Sequence, residues 1–163
     1  MTRRLLATLH GLCYAACFVL LWWWVVVSVR PLDPHLSFAI PAWAWWPGVV
    51  LAALGGLLAV ACVAAFAWVG VGTPAPFDAP REFVAVGPYR WLRNPMYLGA
   101  MMVIAGAGLM LRSPSALAVT LVLFLLAHLF VVLYEEPTLE RRFGDAYRRY
   151  NATVNRWLPR RPR

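Results

Sequence analysis

The sequence predicts an all-α, polytopic membrane protein with about four transmembrane helices and a C-terminal amphipathic interfacial helix. Three observations carry that expectation. Of 163 residues, 62% are hydrophobic and 13% charged, which is too apolar for an ordinary soluble domain. Residues 5–29, 49–71 and 115–134 form apolar runs of the length that a bilayer core requires. All fifteen basic residues are arginine, and they are unevenly placed. Arg3 and Arg4 precede helix one, Arg81, Arg90 and Arg93 lie between helices two and three, and eight more run from Arg141 to Arg163. The other two connections hold only Arg30 and Arg112. Positive loops face inward, so both termini are expected in the cytoplasm, at the inner membrane of a bacterium.

Helix one ends near Trp22, Trp23 and Trp24, and Trp43, Trp45 and Trp46 stand just before helix two. Indole rings prefer the headgroup level, so the two clusters mark the outer interface. Between them Pro31, Pro34 and Pro41 indicate a short external connection. Helix two carries Gly55 and Gly56, small enough for a neighbouring helix to approach closely. After Gly70-Val71-Gly72, the prolines of residues 73–80 favour an extended path. The aromatics that follow, and a turn at Gly87-Pro88, predict an ordered cytoplasmic loop.

Helix three is expected over residues 96–111, opening at Pro95 with Asn94 as N-cap. Its sixteen residues reach about 24 Å, slightly short for a span. Gly99, Gly106 and Gly108 give it a thin packing face. Arg112-Ser113-Pro114 breaks the run, and a Leu- and Val-rich helix four follows with one internal polar residue, His128, expected to serve packing. Pro137 is expected to open a new helix, with Glu135 and Glu136 at its positive N-terminal end. Leu139, Phe143, Ala146, Tyr147, Tyr150 and Val154 then recur at helical spacing, while Arg141, Arg142, Arg148 and Arg149 project elsewhere. Gly144 weakens this helix, and Trp157-Leu158-Pro159 anchors the tail.

A hairpin of helices three and four returns its two polar flanks, residues 87–99 and 135–150, to one face of the membrane. Asn94-Pro95 can be a plain N-cap, or its free amides can join Arg90 or Arg93 in holding an anion such as a carboxylate. Glu135 and Glu136 can cap a helix and pair with arginines, or one of them can bind a cation. Neighbours on an α-helix point about 100° apart, so only one is expected to face an internal site. Tyr89, Tyr97, Tyr147 and Tyr150 suit either a membrane interface or a pocket wall. Anion donors, carboxylates and aromatic faces together match a zwitterionic, cationic cofactor such as S-adenosylmethionine. Cys13, Cys17 and Cys62 lack metal-ligand spacing, and no metal is expected. The net charge of +8 fits anionic lipid headgroups, and no nucleic-acid partner is expected.

The residues Gly87-Pro-Tyr, Arg93-Asn-Pro-Met-Tyr-Leu-Gly99, Glu135-Glu136, Leu139, Phe143-Gly144, Tyr147, Tyr150 and Arg156-Trp-Leu-Pro159 give the chain a specific likeness. It resembles the isoprenylcysteine carboxyl methyltransferase and phospholipid methyltransferase family of integral membrane enzymes, over roughly residues 72–159. Composition and the apolar runs predict one membrane domain over residues 1–163. Residues 1–71 form the first two helices, 72–159 a methyltransferase-like core and 160–163 a basic tail.

It also implies S-adenosylmethionine as cofactor, lined by Tyr89, Arg93, Asn94, Pro95, Tyr97 and Leu98, with Glu135 or Glu136 on its amino group and Tyr147 and Tyr150 closing the site. Glu135, Glu136 and Arg93 are the candidate catalytic residues, and a membrane lipid or another lipophilic or small molecule is the methyl acceptor. Many family members have His where this chain has Asn94, which could keep a hydrogen bond but supplies no titrating base. Two other readings are an NADPH-dependent membrane reductase of the sterol reductase type and a non-enzymatic helical protein that binds lipid or a partner.

Overall fold

A computed structural model describes residues 16, 17, 19–36, 38–69 and 85–159. Arg3, Arg4, Cys13, the start of helix one, the Gly70-Val71-Gly72 end of helix two, the proline-rich stretch 73–80, Arg81 and the 160–163 tail lie outside the described residues. Helix α1 covers residues 19–29 and leads into a 3-10 turn, Arg30–His35. A second 3-10 turn, Ala42–Ala44, runs into α2, Trp45–Val69. This helix starts four residues before the expected point, because Pro47 falls in its first turn, where a missing N–H costs nothing.

Next come α3, Pro95–Met110, and α4, Pro114–Phe130. A π-helical turn, Val131–Glu135, joins α4 to α5, Glu136–Phe143, and α6 spans Asp145–Thr153. Among the described residues there is no strand, only an isolated bridge between Leu92 and Asn155. The all-helical expectation therefore holds.

Two expectations about the C-terminal half do not. Pro137 does not open a separate helix, since Pro114–Phe143 is one continuous helical path. Pro137 has no N–H to continue the ladder, and the π turn before it, closed by the Glu136 N–H on the Val131 carbonyl, absorbs that loss without a break. Nor is the terminal helix merely weakened at Gly144. It is divided there, at φ +53° and ψ −126°, a backbone conformation that favours glycine.

Ala42–Ala65 and Pro114–Phe143 are long and apolar enough to cross a membrane, and in each only 22% of the most apolar stretch is buried within the protein. Their side chains therefore face outward, as lipid-facing helices require and the core helix of a soluble protein does not. Two spans thus stand on length and composition. α3, with sixteen residues, is shorter than a full span, as its sequence suggested.

The α2–α3 pair is the closest packing in the fold. A Cβ on Gly55 would lie 2.6 Å from the Gly99 carbonyl oxygen, and one on Gly106 would lie 2.6 Å from that of Gly48. Each helix thus places two glycines seven residues apart on the seam, and the antiparallel backbones touch directly. Gly56, its neighbour in sequence, meets nothing within 4 Å. On another face of α3, Gly108 takes Ala116 and Leu117 of α4. Val26, Ile104 and Ala116 join α1, α3 and α4 in a small buried cluster.

The α3–α4 turn is tied to the α1–α2 connection. Arg112 adopts φ +52°. Ser113 donates from Oγ to Asp33 Oδ1 at 2.8 Å, and the Ser115 N–H donates to the same oxygen at 3.0 Å. Ser113 Oγ also caps α4 by accepting from the Ala116 N–H at 3.2 Å. Slight burial raises the Asp33 carboxyl, but hydrogen bonds from Ser115 and Ser113, with the charge of Arg30, hold it below its ordinary 3.8.

Gly55→Val should lower thermal stability in detergent by about 1–3 kcal/mol through overpacking, whereas Gly56→Ala should be neutral or slightly stabilising. Equal melting shifts for the two variants would contradict the seam. Ser113→Ala should cost about 1 kcal/mol through loss of the cap. A group with a lowered folded pKa stabilises above its unfolded value and loses that effect as pH falls through the folded value. The melting difference between Asp33→Asn and the parent seen at pH 7 should therefore shrink as pH falls below 3.8 and through the lowered folded value.

Candidate functional site

Three segments far apart in sequence meet at one end of the hairpin. The first is the 3-10 turn Gly87–Arg90, with Gly87 at φ +58°, and the residues leading into α3. The second is the π turn with the start of α5. The third is α6 with residues 154–157. Reversal at Gly144 brings this last segment back beside the first. Arg93 N–H donates to the Asn155 carbonyl at 2.9 Å, Tyr150 Oη donates to the Tyr89 carbonyl at 2.7 Å, and Asn94 Nδ2 donates to the Arg156 carbonyl at 3.2 Å.

Asn94 occupies the N-cap position, but its side chain makes no cap bond. The plain N-cap reading is therefore corrected. The amide is spent on Arg156, and the first turn of α3 keeps amides without a side-chain cap. Pro95, which has no N–H to offer, is fully buried at the helix start.

Both carboxylates face inward, against the expectation that only one would. Glu135 Oε2 accepts from Tyr97 Oη at 3.0 Å. Glu136 lies with Arg156, which donates from Nε at 2.7 Å and from Nη2 at 2.8 Å to its two oxygens, and Arg93 Nη1 stands 3.0 Å from Oε1. The π turn explains the geometry. It winds less per residue than an α-turn, so successive side chains diverge less. The side chains of Arg93 and Glu136 are only 10% and 13% exposed, where losing one partner of an ion pair costs about 3–5 kcal/mol.

Arg93 also donates from Nη1 to Asn151 Oδ1, and its guanidinium hydrogen-bonds the Tyr147 hydroxyl. Its Nε–H is buried and has no acceptor among the described residues. Most buried donors are satisfied, so this one is an exception. Burial pushes the Tyr147 hydroxyl up to about 12, with Glu136 adding to the rise and Arg93 opposing it. Burial likewise raises Tyr89 and Tyr150. All three stay protonated at neutral pH; Tyr89 and Tyr150 donate, and Tyr147 accepts from Arg93. Tyr89 sits against the Cys62 thiol of α2, which ties the turn to the second helix.

Trp157 fixes the returning segment. Its Nε1–H donates to His128 Nδ1 at 2.9 Å, and its ring stands 4.9 Å from Phe124 and 6.4 Å, edge-on, from Tyr97. His128 thus has the packing role its place in the helix suggested, and Trp157 anchors the tail, although neighbouring Leu158 is 72% exposed.

The structure brings Tyr89, Arg93, Asn94, Pro95, Tyr97, Glu135, Glu136, Tyr147 and Tyr150 into this one network. Leu98 contributes a backbone bond to the Asn94 carbonyl at 3.1 Å, and Arg90 is exposed. Arg156, Asn151 and Asn155 were not among the predicted site residues. Their signal was the Arg156-Trp157 pair, but nothing local says that residues 151–157 fold back onto residue 93.

A family model described as phospholipid methyltransferase matches residues 43–146. The chain is also similar to an uncharacterized protein of Haemophilus influenzae, 36% identical over 63 residues, which is 39% of this chain and 100% of that protein. The family match ends within α6, before Asn151, Arg156 and Trp157.

Trp157→Phe keeps a ring but leaves the His128 nitrogen without its donor. It should cost about 1–3 kcal/mol in a detergent melt. A melting temperature equal to the parent's would show that the bond contributes nothing.

Proposed function

Because the chain belongs to the phospholipid methyltransferase family, we propose that it is a membrane enzyme transferring a methyl group from S-adenosylmethionine to a lipophilic or small acceptor, a carboxylate, amine or thiol. The observation that carries the cofactor assignment is the Arg93 Nε–H, buried and without an acceptor among the described residues, beside a helix start that lacks a side-chain cap. One helical turn along, Tyr97 holds Glu135. An anion site and a carboxylate at this spacing fit the amino-acid end of a zwitterion, its carboxylate at Arg93 and its ammonium at Glu135.

S-adenosylmethionine would supply a methyl group on a sulfonium, electrophilic enough to need no activating acid. The chain's own part is to bind, orient and exclude water. Arg93 and the first amides of α3 take the anionic end, and Glu135 takes the cationic end. Tyr89, Asn94, Pro95, Leu98, Tyr147 and Tyr150 shape the surrounding wall. A carboxylate or thiolate acceptor needs no base. For an amine acceptor no base is assigned, since Tyr97 and the cationic end take Glu135 and both oxygens of Glu136 are engaged by Arg156. The outward-facing apolar helices support an acceptor that arrives from the bilayer, and the arginine distribution supports a site on the cytoplasmic face with both termini inside.

Calorimetry on the purified protein should show binding of S-adenosylmethionine and none of NADPH. Glu135→Gln and Arg93→Gln should each weaken it about tenfold or more, equal to 1.4 kcal/mol. Binding of NADPH instead, or Glu135→Gln indistinguishable from the parent, would overturn the assignment. Incubating membranes with methyl-labelled cofactor identifies the acceptor. A base-labile label marks an ester, and a stable label in phospholipid marks an amine product.

A further inference from the structure

We propose that Glu136 and Arg156 form a positioning pair that holds Arg93 and Asn94 in place, and that Glu136, unlike Glu135, is not a ligand for the cofactor. The inference rests on the reading of this region as an S-adenosylmethionine site. The two adjacent carboxylates have different partners. Glu135 is held by one neutral hydroxyl, which leaves its charge and one oxygen for a cation. Glu136 meets two guanidinium groups. Arg156 engages both of its oxygens in the fork geometry that a planar guanidinium favours, and Arg93 takes a second contact on Oε1. A carboxylate so placed is already neutralised and has little to give an ammonium group.

What Glu136 does instead follows from where Arg156 stands. The main chain of Arg156 receives the Asn94 amide, the next residue is fixed by His128, and the preceding residue receives the Arg93 N–H. Holding the Arg156 side chain therefore fixes the strip 155–157, and that strip fixes the backbone of residues 92–94. The same Glu136 oxygen orients the Arg93 guanidinium directly, and with it the unpartnered Nε–H. Neither Glu136 nor Arg156 needs to touch the cofactor for its affinity to depend on both.

The test is a double-mutant cycle on the full chain in detergent, with S-adenosylmethionine as the probe, read by calorimetry and by the melting temperature without ligand. Glu136→Gln and Arg156→Gln should each weaken binding about tenfold, and the double variant should be no weaker than either single one, because each breaks the same pair. Arg156→Lys, which keeps the charge but not the fork, should fall between Arg156→Gln and the parent. Loss of binding in Glu136→Gln with normal binding in Arg156→Gln would make Glu136 a ligand and overturn the proposal. So would multiplicative losses in the double variant, or lowered melting temperatures with unchanged affinity. If Glu136→Gln does not fold, Arg156→Lys decides: weakened binding supports the pair and unchanged binding refutes it. A parent that binds no S-adenosylmethionine sinks the cofactor assignment and this role together, whereas a parent that binds it with multiplicative losses sinks only the pair.

Discussion

The contact on which the rest of the molecule depends is backbone against backbone, at Gly48–Gly106 and Gly55–Gly99. α3 is too short to be placed by lipid alone, and in a bilayer no hydrophobic force drives one helix against another. Close van der Waals contact along the glycine seam does that work, and it sets the position of the α3 start relative to α2. The turn that carries Tyr89 then lies against Cys62, and Arg93, Asn94 and Tyr97 inherit their places from the same helix. α4 completes the arrangement through Ala116 and Leu117 on Gly108, while Asp33 ties the opposite end.

Against that frame the π turn acts as a local correction to helical geometry. An ordinary helix would send two neighbouring carboxylates in different directions, one inward and one toward lipid or solvent. A π turn ending at Glu135 lets both stay inside. Helix irregularities of this kind recur at functional positions because they aim side chains that a regular helix cannot. Here the wide turn also accommodates Pro137, so one departure from α-geometry serves two local demands.

Much of the fold was legible in the chain. Apolar length located α2 and α4, Pro95 located the start of α3, the Arg112-Ser113-Pro114 break located the turn before α4, and the glycines of α2 and α3 located the seam in outline. Which glycine of the Gly55-Gly56 pair packs was not legible, because that depends on helix rotation. Nor was the continuity through Pro137, since local propensity reads a proline after two charges as a boundary and only the ladder in three dimensions shows the π turn. The site was half legible. Tyr89, Arg93, Tyr97, Glu135 and Glu136 could be named from their motifs, but the contacts of Arg156 and Asn151 could not, because they depend on a reversal at Gly144 that carries no periodic signal. The same reversal explains why Asn94 looked like a cap: its true acceptor, the Arg156 carbonyl, lies 62 residues away.

That reversal also orders events in time. The α3–α4 hairpin joins elements adjacent in sequence, so it can enter the bilayer and pack as soon as both helices have left the ribosome. The partners of Arg93 and Asn94 at residues 151–157 are made afterwards and must travel back past α5 to reach them. The segment that supplies these partners of Arg93 and Asn94 is therefore the last part of the candidate site to be synthesised.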